Sequence, residues 1–265
     1  MELLETRTDI GLVRDNNEDA TLAITHPKSK HLKLLIVADG MGGKENGEFA
    51  SNFVVEKMKQ WFVEKDSKTL NDTKITKELI KYIKTLNLEI INNCGNNKSG
   101  TTLTLAIIGK KKTIIANVGD SRAYVYKEQN LHQITEDDSD VWAYHKYANI
   151  DKEDLRFFSN NNIINSCIGL NKDYCNVSIS VIDNDYEMII LLTDGVTDLI
   201  KDKKIKKIIK LNLKEKILEK IIHEAVYVDQ HLTIPKRLKK KYLANYIIPF
   251  KGRDNASGAI YIKDV

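Results

Sequence analysis

Cysteine is scarce in this 265-residue chain. Cys94, Cys167 and Cys175 form an odd set with no CxxC pair, which excludes a disulfide framework and a thiolate metal site. They are expected to be small buried side chains in a reducing compartment. No run of about 18 apolar residues exists, so no membrane-spanning helix is available, and MELLETRTDIG lacks the charged-then-apolar order of a signal peptide. The expectation is a soluble cytoplasmic protein with no membrane partner. An excess of one charge is missing too: 29% of residues are charged but the net is only +4, so no global field for nucleic acid is implied. A P-loop is absent, because GGK at 42–44 lacks the upstream glycine spacing and a following Ser or Thr. There is no internal repeat and no long linker. With 42% hydrophobic residues the chain can bury a large core, and a single domain over 1–265, acting as a monomer, is expected.

What is present is a series of short apolar and β-branched runs. Two-residue alternation predicts strands near Ala20–Thr25, Lys33–Ala38, Thr101–Ile108, Thr113–Val118, Ala123–Tyr126, Val177–Ile182, Met188–Leu192 and Gly258–Ile262. Helical spacing predicts helices over Gly47–Glu64 and Ile75–Ile91, and a third region from Asp198 to about Val228, broken near Leu211 and Asn212. In IANVGDSRAYVY only a few turn residues separate two apolar stretches, which predicts an antiparallel hairpin. The fold class expected is α+β, layered, with a sheet that is at least partly antiparallel. The polar, helix-prone segment 139–162 reads as an excursion from the sheets, and 229–250, containing HLTIPKRLKKKYLANYIIPF, as another.

The functional signal is a recurring acid at a strand end beside Gly or Asn. VADGMGG carries Asp39, VRDNNEDA carries Glu18 and Asp19, IILLTDGV carries Asp194, and FKGRDNAS carries Asp254. Strand ends of one sheet converge in space, and clustered carboxylates repel one another unless cations occupy them. With no His or Cys at ligand spacing the donors are all oxygen, which selects Mg²⁺ or Mn²⁺ over Zn²⁺. Gly40, having no side chain, lets its carbonyl turn toward a metal held by Asp39. Two cations sharing one aspartate would acidify a water for in-line attack on a phosphate ester. Arg14, four residues before Glu18, offers a planar fork suited to phosphate oxygens.

RDNNED, VADGMGG, GTT at 100–102, VGDSR, ITEDDS, LLTDG and GRDN occur in the order found in the metal-dependent serine/threonine protein phosphatases of type 2C, the PPM family, and the chain resembles its compact bacterial members from Thr8 to Ile262. The resemblance implies a central antiparallel β-sandwich flanked by helical layers (αββα) with two core Mn²⁺ or Mg²⁺ ions at one rim. It implies Asp39 as bridging ligand, Gly40 as carbonyl ligand, and Asp194 and Asp254 as ligands of one ion. Glu18 and Asp19 would ligate directly or through water, and Arg14 would clamp the substrate phosphate. Asp120 of VGDSR would join Asp194 in binding a weaker third ion. The implied substrates are phosphoserine and phosphothreonine proteins made by a Ser/Thr kinase; the alternative is a phosphatase-fold regulatory protein without catalysis.

The chain departs from the family pattern at Lys44 and Met41, where many relatives carry His, so that leaving-group protonation would fall to water at the metal centre. Asp138 stands where relatives carry His, the segment 139–162 corresponds to the variable flap, and SCIG at 166–169 replaces a Thr-rich pattern. In the basic segment, Lys239, Lys240 and Lys241 are expected near the active-site rim, where they would attract acidic or multiply phosphorylated substrates.

Overall fold

A computed structural model of the chain describes residues 2–42, 46–70, 72–94, 99–227, 234–241 and 254–264. Lys44 and the parts 229–233 and 242–250 of the basic segment lie outside the described residues, as do the side chains of Lys240 and Lys241.

Two antiparallel sheets form the centre. One runs β1 (Leu3–Asp9), β11 (Ala256–Ile262), β10 (Met188–Leu192), β7 (Arg122–Lys127), β8 (Asn130–Gln133). The other runs β2 (Asp19–His26), β3 (Ser29–Met41), β5 (Leu103–Ile108), β6 (Lys112–Val118), β9 (Ser178–Asp183), with the short β4 (Gly100–Thr101) pairing the end of β3. Between the sheets lies one apolar layer, including Leu35, Val37, Ile115, Ile189, Leu191 and Tyr261. On the outer face of the β3 sheet, α1 (Asn46–Glu64), the short α2 (Ser67–Leu70) and α3 (Ile75–Cys94) bury Leu34, Ile36 and Leu105. On the outer face of the other sheet, α5 (Asp194–Thr197), α6 (Asp202–Leu211) and α7 (Ile217–Tyr227) bury Ile190, Leu192 and Ile260. The result is the αββα layering expected. It explains the unbroken apolar run at residues 34–38: a strand covered on both faces has no solvent side to alternate with.

Two strands escape the sequence patterns, β1 and β8. Both are edges of their sheet, half-exposed and built from polar residues such as the TRTD of β1, so neither shows a clean alternation. The hairpin expected at IANVGDSRAYVY is overturned. β6 pairs β5 and β9, whereas β7 pairs β10 and β8, so the VGDSR turn carries the chain from one sheet into the other. A short turn is compatible with either outcome, and the apolar strands on both sides find partners supplied by distant segments.

The third helical region breaks as expected: Asn212 ends α6 with extended backbone and its side chain donates to the Ile208 carbonyl at 2.7 Å. In the flap, α4 (Trp142–Ala148) and a 3₁₀ helix (Lys152–Phe157) fold around a small core of their own, Val141, Trp142, Ile150, Leu155 and Phe158. The basic helix α8 (Lys236–Lys241) rests on that 3₁₀ helix. Leu238 is buried, and the Arg237 guanidinium holds Asp154, whose side chain is only 3% exposed. Cys167 and Cys175 are buried free thiols, and burial raises the first to about 11 and the second to about 12. Among the described residues no helix is long and apolar enough to cross a membrane.

Candidate metal centre

The two sheets bring their acid-bearing strand ends to one rim. Asp19 opens β2 and stands opposite Asp39 in the β2–β3 register; Asp194 follows β10, and Asp254 precedes β11. Arg14, Glu18, Asp39, Asp120, Asp194 and Asp254 line one open cavity of about 260 Å³, whose wall also includes Gly40, Met41 and Asn162. Asp19 lies behind it, buried, its Oδ2 accepting from the Thr193 hydroxyl at 3.0 Å. The carboxylates line the cavity rather than closing on one point: among the described residues no three acidic, His or Cys side chains stand together at metal-holding distance.

The backbone at the rim is tightly fixed. Thr102 Oγ1 accepts from the Asp39 amide at 2.9 Å, while the Asp39 carbonyl accepts from the Thr102 amide at 2.8 Å and from Thr101 Oγ1 at 3.0 Å. The GTT motif therefore holds Asp39 in place. Gly40 packs between two backbones, and a Cβ there would fall 2.3 Å from the Gly47 carbonyl oxygen and 2.5 Å from that of Glu18, so no other residue fits without displacing the start of α1. The Gly40 amide donates to the Glu18 carbonyl at 3.1 Å, which ties β3 to the loop carrying Arg14.

Electrostatically the site is strained by its own acids. Burial first, then the charges of Asp194 and Asp19, pushes the Asp39 carboxyl well above the usual carboxylate range. Burial and then Asp254 raise Asp194 to about 7, and the Asp194 carboxyl shares a hydrogen bond with that of Asp39. Asp19 is raised well above its ordinary value, again mainly by burial. Three buried carboxylate oxygens, Glu18 Oε1, Asp19 Oδ1 and Asp194 Oδ1, have no hydrogen-bond partner. A buried oxygen without a donor is costly, and an oxygen-seeking cation satisfies it. The donor set is all carboxylate and carbonyl, which fits Mg²⁺ or Mn²⁺ and not a thiophilic metal.

Asp120 sits at the sheet-switching turn, on the wall between this cavity and a smaller polar one containing Arg122, Asp137, Arg156 and Asp198. Its carboxyl is raised by burial and then by Asp194. The turn is held by Asp138, whose amide donates to the Gly119 carbonyl at 3.0 Å and whose Oδ2 accepts from the Gly119 amide at 3.2 Å. Arg122 reinforces it with a buried two-pronged pair to Asp137, Nε to Oδ1 at 2.9 Å and Nη2 to Oδ2 at 2.6 Å.

Residues not expected from sequence also shape the site. Asn255, 2% exposed, accepts from the Glu18 amide at 2.8 Å and donates to the carbonyls of Ile10 at 3.0 Å and Asn16 at 2.9 Å. One amide therefore holds three points of the loop that carries Arg14. Its visible signal is the Asn directly after the Asp of GRDN. Asp198, one helical turn beyond Asp194, lines the adjoining cavity; an acid four residues past a strand-end acid was legible in LLTDGVTD.

A family model described as Protein phosphatase 2C matches residues 13–221. The chain is 32% identical over 208 residues to the serine/threonine phosphatase stp of Listeria welshimeri, covering 77% of this chain and 81% of that protein. The crystal structure of serine/threonine phosphatase Stp1 from Staphylococcus aureus superposes with a TM-score of 0.82 at 29% identity, covering 100% of this chain and 96% of that one. The catalytic domain of the serine/threonine protein phosphatase PstP in complex with 2 manganese ions shares the fold, with a TM-score of 0.75 at 22% identity over 98% of this chain and 97% of that one. With the layered sandwich, the strand-end carboxylates and the family model all in agreement over most of its length, the chain belongs to the protein phosphatase 2C family.

Proposed function

We propose that the protein is a metal-dependent protein serine/threonine phosphatase that hydrolyses phosphoserine and phosphothreonine on proteins. The observation that carries this is the set of buried, unpartnered carboxylate oxygens beside Asp39 at the end of a cavity that opens past Arg14. Asp39, Asp19, Glu18, Asp194, Asp254 and the Gly40 carbonyl would hold two Mn²⁺ or Mg²⁺ ions. Asp120, on the wall shared with the adjoining cavity, would hold a weaker third with Asp194. When bound, the cations supply an acidified water and positive charge for the phosphoryl oxygens.

The remaining chemistry is positional. Arg14, half-exposed at the mouth, presents its guanidinium fork to the substrate phosphate. Thr101 and Thr102 fix the Asp39 backbone, and Asn255 fixes the Arg14 loop against Asp254, so acid and base sides of the site keep their spacing as substrate enters. Met41 puts no proton donor on the cavity wall, so the leaving oxygen takes its proton from solvent within the site.

We infer further that residues 1–265 act as one phosphatase domain, as a monomer in the cytoplasm, opposing a Ser/Thr kinase. The balanced charge and the buried free thiols support that setting. The deciding experiment is hydrolysis of p-nitrophenyl phosphate and a phosphothreonine peptide with Mn²⁺ and with chelator. Metal-dependent release of phosphate from both is expected; a well-folded, metal-loaded protein without turnover on either would leave the non-catalytic regulatory alternative. Asp120→Ala is expected to keep the two core ions and slow turnover, and a Mn²⁺ stoichiometry unchanged at high metal would remove Asp120 from the ligand set.

A further inference from the structure

The acidic cavity is edged by apolar side chains that no core uses. On the loop leading into Arg14, Ile10, Leu12 and Val13 are 39%, 54% and 61% exposed; across the mouth Ile163, between the cavity-lining Asn162 and Ile164, is 48% exposed. Single exposed apolar residues are ordinary, but these four lie on the two segments that bring Arg14 and Asn162 to one cavity.

Both ridges are held in place. Asn255 fixes the Ile10 carbonyl, and Gly11, at φ +78°, lies so close to the Asp254 carbonyl oxygen that a Cβ there would stand 2.5 Å from it. On the other side the Asp140 amide donates to the Ile163 carbonyl at 3.0 Å, and Ser139 bridges to Ile164. Rigid apolar ridges lose little entropy when covered, so their burial appears as affinity.

Charge limits what can cover them. The four ridge side chains carry no charge and no hydrogen-bonding group, so a carboxylate laid against them gives up water without gaining a partner. Consecutive residues of an extended peptide lie about 3.3–3.6 Å apart, so residues one or two positions from a phosphorylated side chain at Arg14 reach Val13, Leu12 and Ile163.

Building on the phosphatase reading, we propose that this rim selects phosphoserine and phosphothreonine segments bearing a large apolar residue within two positions of the phosphorylated one. Phosphothreonine peptides differing only in leucine, alanine or glutamate at the flanking positions, assayed on Mn²⁺-loaded wild type and on a Leu12→Ser, Val13→Ser, Ile163→Ser triple variant, test it. On wild type the leucine peptide is expected to exceed the alanine peptide in kcat/KM by about fivefold, from partial burial of the added side chains. The glutamate peptide should be poorer than either. The variant should lose the leucine preference and keep p-nitrophenyl phosphate hydrolysis within about twofold, because the small ester does not reach the rim. Equal rates for leucine and alanine peptides on wild type, a preference that survives in the variant, or a parallel loss of p-nitrophenyl phosphate hydrolysis would each overturn the rim as a docking surface. Failure of wild type to hydrolyse any of the substrates would instead bring down the phosphatase assignment, and the rim with it.

Discussion

Arg14 and Asp254, 240 positions apart in sequence, are ion-paired at the mouth of the acidic cavity. The pair joins the residue proposed to grip phosphate to one proposed to ligate metal, so the two functions are set against each other by one contact. Arg14→Ala should raise KM by about tenfold with a smaller effect on kcat, as expected when a binding contact is lost. Arg14→Lys should rescue little, since a point charge cannot reproduce the fork. Steady-state kinetics on p-nitrophenyl phosphate decide it; an unchanged KM would remove Arg14 from the site.

Asp39→Asn should abolish turnover, by about a thousandfold or more, because it takes charge from the metal centre. The same change should stabilise the chelated protein, since it relieves repulsion among buried acids. A gain of about 1 kcal/mol would raise Tm by about 2–4 °C in a chain of this size class. Melting in chelator with and without the substitution tests this, and a lower Tm would show that the Asp39 carboxyl is a structural acceptor first.

The pH dependence of the chelated protein follows from the same acids. Asp194 moves from an ordinary 3.8 to about 7, and Asp39 and Asp19 also shift upward. Between 3.8 and about 7 the folded chain holds protons that the unfolded chain has released. The stability from Asp194 is therefore fully present below 3.8 and lost as pH rises through about 7, and Asp39 and Asp19 act in the same direction. Thermal melts in chelator should show Tm falling from pH 5.5 to 7.5, and Mn²⁺ should reverse the trend, since its binding expels the protons. A Tm in chelator that climbs over that interval would contradict the assigned shifts.

Asn255→Ala removes three hydrogen bonds from a buried clamp, at roughly 1 kcal/mol each. It should lower stability by about 2–3 kcal/mol and raise KM through the loosened Arg14 loop. Asn255→Asp keeps the acceptor for the Glu18 amide but loses both donors. It should recover less than half of the lost kcat/KM, since the Ile10 and Asn16 carbonyls stay unpaired. Denaturant melts alongside kinetics separate the two effects, and destabilisation with unaltered KM would make Asn255 purely structural.

Arg237→Ala leaves Asp154 buried without its guanidinium, which should loosen the flap from α8. Limited proteolysis within 142–165 should accelerate while global melting changes little. Cleavage at the wild-type rate would show that Leu238 and the small core of Trp142 and Phe158 suffice.

Much of this was legible before any coordinates. β3 and β10 were readable because their runs are buried on both faces, Asp39 and Asp194 because each ends such a run with a charge that a core cannot keep, and Asp254 because GRDN sets an acid beside Gly and Asn just ahead of the last strand. The partners of strands were not readable. Whether β6 folds back on β7 depends on which distant strand binds each more tightly, a property that no turn sequence contains. The roles of Asn255 and Thr102 were hidden for another reason, although GRDN and GTT stood in view: their work is done through backbone groups of other segments, which have no side-chain signature. The polar edge strands β1 and β8 were lost because strand pattern comes from burial, and edges have little.

The pairing of β1 with β11 sets an order of events during synthesis. Residues 3–9 are made before residues 256–262 and wait for them, their partner and the inner strand beside β10. Asp254 and Asn255 arrive with that strand. At about 5–20 residues per second, Arg14 precedes its ion-pair partner by on the order of 10–50 s. Until then the nascent chain lacks both a proposed metal ligand and the clamp of its Arg14 loop, so phosphatase activity is expected to wait until Asp254 and Asn255 have been made and docked.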